Sequence, residues 1–217
     1  MTDDLGRIAG SQPEDRSSLL SETITGRRTV RAFQPTPVPR EFIEEAIRAA
    51  GWAPSPHGRQ PWRFVVLESL ARRTILADAM AADWQRQLEL DGQSNDIVTI
   101  RLQKGRARMI DAPALVLACL YLNELDVYPD PERQEAERIM AIQSLGAAIQ
   151  NLLLTVFSAG YDAGWMCAPL FCPGIVRDAL GLSADLHPQA LIPMGLPAKD
   201  PVRKPRKTLE ELVVSWE

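Results

Sequence analysis

The sequence predicts a mixed α+β domain, and three observations lead there. Helix-period segments and strand-like apolar runs follow one another without a regular βαβ rhythm. Two runs, 63–67 and 114–121, are short and apolar in the manner of buried strands. A long helical segment, 132–159, is apolar on nearly every face from Ile139 onward. A chain of 217 residues is long enough to bury one full core, and 46% hydrophobic with 24% charged residues excludes a fibrous or disordered chain.

Along the chain, residues 1–17 are polar and aperiodic and read as an N-terminal arm. A short helix is expected at 18–25, ending at Gly26. Pro39 opens a second helix, in which Phe42, Ile43, Ala46, Ile47 and Ala50 share one face. It stops at Gly51, before the Pro-rich loop 53–61 and the strand at 63–67. Ser69 caps a helix running to Leu90 and closed by Asp91-Gly92. A further helix covers 95–110 and ends before Pro113, ahead of the strand at 114–121. After the loop holding Pro129 and Pro131 comes the long helix, which ends at Gly160. A helix apolar all round lies at the centre of a protein or between two subunits, and so short a chain has little else to wrap it. The expectation is therefore a homodimer. Short strands are expected near 163–166 and 190–194. Residues 18–207 form the folded domain, and 208–217 read as an extended arm whose Leu212, Val213, Val214 and Trp216 pack on the partner subunit.

The net charge of −4 gives no general attraction to nucleic acid. The apolar stretch 139–159 is interrupted by Gln143, Ser144, Gln150 and Asn151, so no membrane span is expected. Three cysteines are too few for a disulfide framework, and no signal peptide is visible, so the expected location is cytoplasmic.

Against that acidic background, Arg27-Arg28-Thr29-Val30-Arg31 places three guanidiniums and a hydroxyl within five residues. That set suits a phosphate, and it also reads as a solvated charge run. Arg203-Lys204-Pro205-Arg206-Lys207 is a second basic cluster, readable as a solvated linker or as a partner to the first. The loop 53–61, with Ser55, His57 and Gln60, offers backbone amides, a hydroxyl and a side-chain amide to a flat polar ligand, or is a surface turn. Cys167 and Cys172 bracket an apolar, twice-bent stretch and read as small buried thiols. With two histidines in the chain and no C-x-x-C, no metal site is expected. No side-chain nucleophile, acid or base stands out, which suits an enzyme whose cofactor carries the chemistry.

Arg27-Arg28-Thr29-Val30-Arg31-Ala32-Phe33, Trp52-Ala53-Pro54-Ser55 and Gln60-Pro61-Trp62-Arg63-Phe64 resemble the opening signature of the FMN-dependent nitroreductase superfamily. The run 146–154 and the turn 160–165 continue the resemblance, which covers residues 21–217. Within it, Trp84, Leu88, Asp91-Gly92, the segment 126–130, Glu137-Arg138 and Leu170-Phe171-Cys172-Pro173 are similar to one branch. That branch is the flavin domain of the gamma-glutamyl ligase that matures the deazaflavin coenzyme.

The resemblance implies a nitroreductase-like fold: a central antiparallel-rich sheet flanked by helices, in an intertwined homodimer with two FMN sites at the interface. It implies that Arg27, Arg28, Thr29 and Arg31 hold the FMN phosphate and ribityl chain, with Lys204 and Arg206, or Arg203 in place of one of them, completing the phosphate site. Pro54, Ser55 and Pro56 are implied to cover the flavin from the other subunit, with Gln60 nearby. The backbone at Cys167 and Ala168 is implied to face flavin N5. Pro56, His57 and Gly58 depart from the family's usual small-residue pattern. The implied reaction is ping-pong hydride transfer from reduced nicotinamide or a reduced deazaflavin to a small electron acceptor, with no catalytic side chain. The acceptor is either a dehydro precursor of the deazaflavin coenzyme or a nitro- or quinone-type compound. A flavin-binding protein without turnover, or one that modifies its flavin, is the further alternative.

Overall fold

The computed structural model describes residues 13–201 and 204–217. At its centre are four antiparallel strands in the order β1-β2-β4-β3: β1 Trp62–Val66, β2 Ala114–Tyr121, β3 Asp162–Ala163 and β4 Leu186–Gly195. Side chains alternate across a strand, so β2 serves two cores at once. Ala114, Val116, Ala118 and Leu120 face one core, and Leu115, Leu117 and Cys119 face the other. The first core is closed by helices α2 (Arg40–Ala50) and α5 (Pro131–Ser158). The second is closed by α3 (Leu70–Leu90), α4 (Asn95–Ile110) and α6 (Pro173–Leu180). Both faces of the sheet are covered, which is why β2 is apolar without interruption.

Local signals set most element ends. Ser69 accepts from the Arg72 amide at the start of α3, and Asp130 accepts from the Arg133 amide at 2.9 Å at the start of α5. Arg73 of α3, 6% exposed, donates to the Leu67 carbonyl at 2.5 Å and to the carbonyls of Ala112 and Pro113. One buried guanidinium thereby joins α3 to the segments flanking β1 and β2, and burial lowers its pKa.

Several expectations are corrected. The first helix, α1, spans Pro13–Gly26 rather than 18–25, because proline and the acidic Glu14 and Asp15 suit a helix start. The expected arm over 1–17 is thus helical from Pro13, and residues 1–12 lie outside the described residues. The strand expected at 163–166 shrinks to two residues. Gly164 donates to the Pro193 carbonyl at 2.9 Å, but Pro193 has no N–H to return, so pairing resumes only as the Met166–Leu191 bridge. Helix α6 was not expected at all. The tail carries a short helix, α7 (Leu209–Leu212), with a Thr208–Glu211 capping box in place of a fully extended arm.

The long helix α5 passes the length and composition test for a membrane-spanning segment. Its buried apolar residues, Ala141, Leu145, Ala148, Ile149, Leu152, Leu153 and Val156, form one stripe of helical period in the first core, and Glu137 and Ser144 are buried as well. The expected burial on every face is not met within one chain, where Ile139 and Ile142 stay 45% and 37% exposed. Leu209, Leu212, Val214 and Trp216 of the tail are exposed as well.

Candidate active site

The chain after α1 runs beside β3. Val30 donates to the Ala163 carbonyl at 3.1 Å and is buried, so its neighbours Thr29 and Arg31 stand outward. This approach is close. A Cβ on Gly164 would lie 2.6 Å from the Val30 carbonyl oxygen, so a glycine is required there.

The cationic cluster is shaped by those contacts. Arg28 donates to the carbonyls of Thr25 (2.5 Å) and Arg27 (2.6 Å), which ties its guanidinium to the C-terminal end of α1. Arg27 is half-buried and its Nε has no partner. Its pKa is lowered first by burial, then by Arg206 and Arg28, against the opposing pull of Asp162. Arg206 of the second basic cluster is therefore near enough for its charge to act on the first. Asp162 is 7% exposed with Oδ1 unpartnered, and burial raises its pKa despite Arg27 and Arg28. Lys204 is exposed and is in no ion pair among the described residues, and Arg203 lies outside them.

Arg31 stands where two cavities meet. The first, about 590 Å³, has Trp165, Met166, Cys167, Ala168 and Leu191 on the sheet side and Trp84, Gln87, Asp91, Arg101, Gly105 and Arg108 on α3 and α4. The second, about 670 Å³, is bounded by Thr29, Arg31, Lys104, Arg108, Lys199 and Asp200 among others. Arg31 and Arg108 belong to both, and burial followed by Arg31 lowers the Arg108 pKa. The Trp165 Nε1 is buried without a partner.

The loop residues fall elsewhere. Pro54, Ser55, Pro56 and Gln60 line neither cavity of their own chain. Ser55 Oγ accepts from the Gln60 amide at 3.1 Å, and His57 and Gln60 hold positive φ angles of 54° and 49°. That turn places His57 and Arg59 beside Asp126, which pairs with the Arg59 guanidinium. The donor atoms of His57, Asp126 and Glu137 lie within 4.8 Å of one another. The sequence names no such group, because its members come from a loop, a second loop and a helix. Cys167 proves exposed, against the expected buried thiol, because it opens the 3₁₀ turn Ala168–Phe171 at the cavity wall. Cys172 is buried, as is Cys119, whose thiol is pushed up to about 12 by burial.

Sequence reasoning missed Arg101 and Arg108. Their only sequence signal is seven-residue spacing on a helix without a strong apolar face.

The two-sided sheet, the cationic edge and the cavity over Met166–Ala168 make this a helix-flanked antiparallel α+β domain with a cationic rim beside a deep cavity. The chain belongs to the nitroreductase family, which it matches over residues 24–196. It is similar to the NAD(P)H nitroreductase-type protein YfhC of Bacillus subtilis, with 26% identity over 89% of this chain and 92% of that one. It is similar to the iodotyrosine deiodinase of Danio rerio, with 29% identity over 94% of this chain and 69% of that one. Among solved structures it shares the fold of the FMN-dependent nitroreductase NfnB from Mycobacterium smegmatis in complex with NADPH, at 22% identity and a TM-score of 0.72. That likeness covers 94% of this chain and 100% of that one.

FMN fits the residues present. Its phosphate would answer the like-charged Arg27 and Arg206, and the first cavity, about 590 Å³ and walled by Trp165, Met166, Cys167 and Ala168, offers a largely apolar space beside Arg31 for its ring system.

Proposed function

We propose that this protein is an FMN-dependent oxidoreductase, working as a homodimer in the cytoplasm. The observation that carries this reading is that Arg31, on the cationic segment beside β3 that also holds Arg27 and Thr29, lines the cavity walled by Cys167 and Ala168, with the charge of Arg206 acting on Arg27. When bound, FMN would supply two-electron hydride chemistry between a donor, reduced nicotinamide or a reduced deazaflavin, and an acceptor.

Arg27, Thr29, Lys204 and Arg206 hold the phosphate by charge-assisted bonds. Arg28, tied to the end of α1, adds its charge, and Arg31 reaches the ribityl chain. The backbone amides at Cys167 and Ala168 orient the ring. Pro54, Ser55 and Pro56 of the partner subunit cover it, with Gln60 of the partner subunit nearby. That assignment accounts for their distance from the cavity within one chain. The uncovered face of α5 and the exposed tail residues support the dimer.

The favoured acceptor is a dehydro precursor of a deazaflavin coenzyme. Trp84, Leu88 and Asp91, which carry part of the resemblance to the deazaflavin branch, all line the first cavity. A general nitro- or quinone-type reduction with NAD(P)H is the second reading, and the YfhC likeness favours it.

The absorption spectrum of the purified protein tests the proposal, followed by anaerobic addition of NADH, NADPH and a reduced deazaflavin. A flavin band that bleaches with one donor is the expected result. A protein that carries no flavin and takes up no added FMN overturns it. A flavin that no donor bleaches points instead to a binding or flavin-modifying role.

A further inference from the structure

Glu137, near the start of α5, places a carboxyl group inside the fold. It is 2% exposed, and its Oε2 is buried without a hydrogen-bond partner. The arginines of the flanking segments are engaged elsewhere. Arg59 pairs with Asp126, Arg63 with Glu124 at 2.9 Å, Arg133 with Asp130 at 2.5 Å and Arg138 with Glu135 at 3.3 Å. Glu137 is in no ion pair among the described residues. A buried carboxylate is costly unless a donor, a cation or a metal ion answers it.

Two side chains from other segments converge on it. One carboxylate oxygen of Glu137, one of Asp126 and one ring nitrogen of His57 lie within 4.8 Å of one another. His57 comes from the turn after α2 and Asp126 from the loop after β2. Asp126 is already oriented: its Oδ1 takes the Arg59 guanidinium, and its Oδ2 stands 3.9 Å from His57 Nε2. Gln134 of α5 steadies that loop, accepting from the Tyr128 amide at 3.0 Å and donating to the Asp126 carbonyl at 3.4 Å. Two carboxylates against one guanidinium leave room for a further cation. None of the three lines either cavity of its own chain.

We propose that His57, Asp126 and Glu137 bind one divalent transition-metal ion, and that zinc is the ion the donor set suits. Calcium and magnesium take oxygen ligands, whereas an imidazole with two carboxylates suits zinc. Ligand atoms about 2.1 Å from a tetrahedral ion stand roughly 3.4 Å apart, so closure from 4.8 Å is small. The His57 and Asp126 side chains, 54% and 34% exposed, are free to make it, and solvent takes the fourth position. Arg59 is a positioning residue, since it holds the Asp126 carboxylate that faces the ion. The ion is structural. It ties the turn that carries Ser55 and Gln60, in which His57 and Gln60 hold positive φ angles, to α5. The site stands apart from the oxidoreductase reading, and its test needs no flavin chemistry.

Titration calorimetry tests it, with zinc chloride added to tag-free, full-length protein that has been stripped with a chelator and returned to chelator-free buffer. One zinc ion per chain is expected, with micromolar or tighter affinity, and magnesium chloride should bind far more weakly. Zinc at a hundred times its Kd should raise Tm by roughly 5–10 °C. His57→Ala and the nearly isosteric Glu137→Gln should each lower zinc affinity by at least about tenfold, the least that loss of a group supporting a ligand costs, and should abolish the rise in Tm. His57 sits on an exposed turn, so its variant carries the test even if the change at buried Glu137 impairs folding. His187→Ala should leave zinc binding intact, and so should Cys167→Ser, which removes the exposed thiol. A parent protein that binds no zinc overturns the proposal. So does binding that survives His57→Ala, or that is lost with Cys167→Ser, because either result seats the ion elsewhere.

Discussion

Arg206 is the neighbouring charge that acts most strongly on Arg27, although the two stand at opposite ends of the chain. Both are cations, and Arg27 Nε is buried with no acceptor. Like charges brought together without a counter-ion destabilise a fold unless a ligand uses them. The pair is therefore the point at which stability and binding pull in opposite directions.

Replacing Arg206 with Ala should weaken FMN binding by about 1.5–3 kcal/mol, roughly one to two orders of magnitude in Kd. The flavin-free protein should not lose thermal stability, since a repulsion disappears. Fluorescence titration with FMN and a melting curve of the flavin-free protein check both halves. Unchanged flavin affinity would remove the phosphate assignment.

Gly164→Ala should destabilise the fold. The added methyl meets the Val30 carbonyl oxygen at 2.6 Å and Pro193 Cγ at 3.2 Å, and the first of these is backbone that cannot rotate away. Overpacking of this kind costs about 1–3 kcal/mol, or roughly 2–10 °C in Tm for a domain of this size. Differential scanning calorimetry measures it. A variant as stable as the parent would show that the strand edge yields more easily than the contacts imply.

The cysteines should separate by reactivity. Cys167 is exposed and should react with a chromogenic disulfide reagent in the native state, and bound FMN should protect it. Cys119 should stay silent until unfolding. Burial holds its thiol at about 12 against an ordinary 9.0, so between those values the native state keeps a proton that the unfolded chain loses. This contribution to stability is complete below pH 9 and is lost as pH rises through about 12. Urea midpoints at pH 8 and pH 10.5 should fall more for the parent than for Cys119→Val.

The exposed face of α5 and the tail should belong to a subunit interface. Ile139→Glu, or removal of residues 208–217, should weaken the dimer by at least tenfold, since burying one such side chain in each subunit is worth about 1.5–3 kcal/mol. Sedimentation velocity across a dilution series would show it. A truncated chain that remains a tight dimer would exclude the tail from the interface.

Much of the fold was legible locally. Strand β2 was read to the residue because seven consecutive buried positions, ending at half-buried Tyr121, leave no other choice, and α3 was bounded by Ser69 because its hydroxyl caps the helix. Helix α6 was missed because Cys172, which precedes it, and Pro173, which opens it, continue an apolar bend and the helix is short. Part of the site was legible too: the cluster at 27–31 is dense enough to stand out in an acidic chain. Arg101 and Arg108 were not, since they sit on a helix of weak apolar periodicity where two more arginines carry no signal.

By itself the sequence determined the α+β class, the strands that must be buried, the family signature and the cationic segment that precedes the sheet edge. These follow from residue type and short spacing, which local sterics and burial translate directly into structure. The tertiary structure alone decided that the charge of Arg206 acts on Arg27, that Trp84 packs on Gly105 between Arg101 and Arg108, and that the loop carrying Ser55 and Gln60 lies away from its own chain's cavity. Those relations join residues far apart in sequence through the register of the sheet and the packing of one helix on another. No local propensity encodes such distances, because the free energy that sets them appears only when the whole core closes.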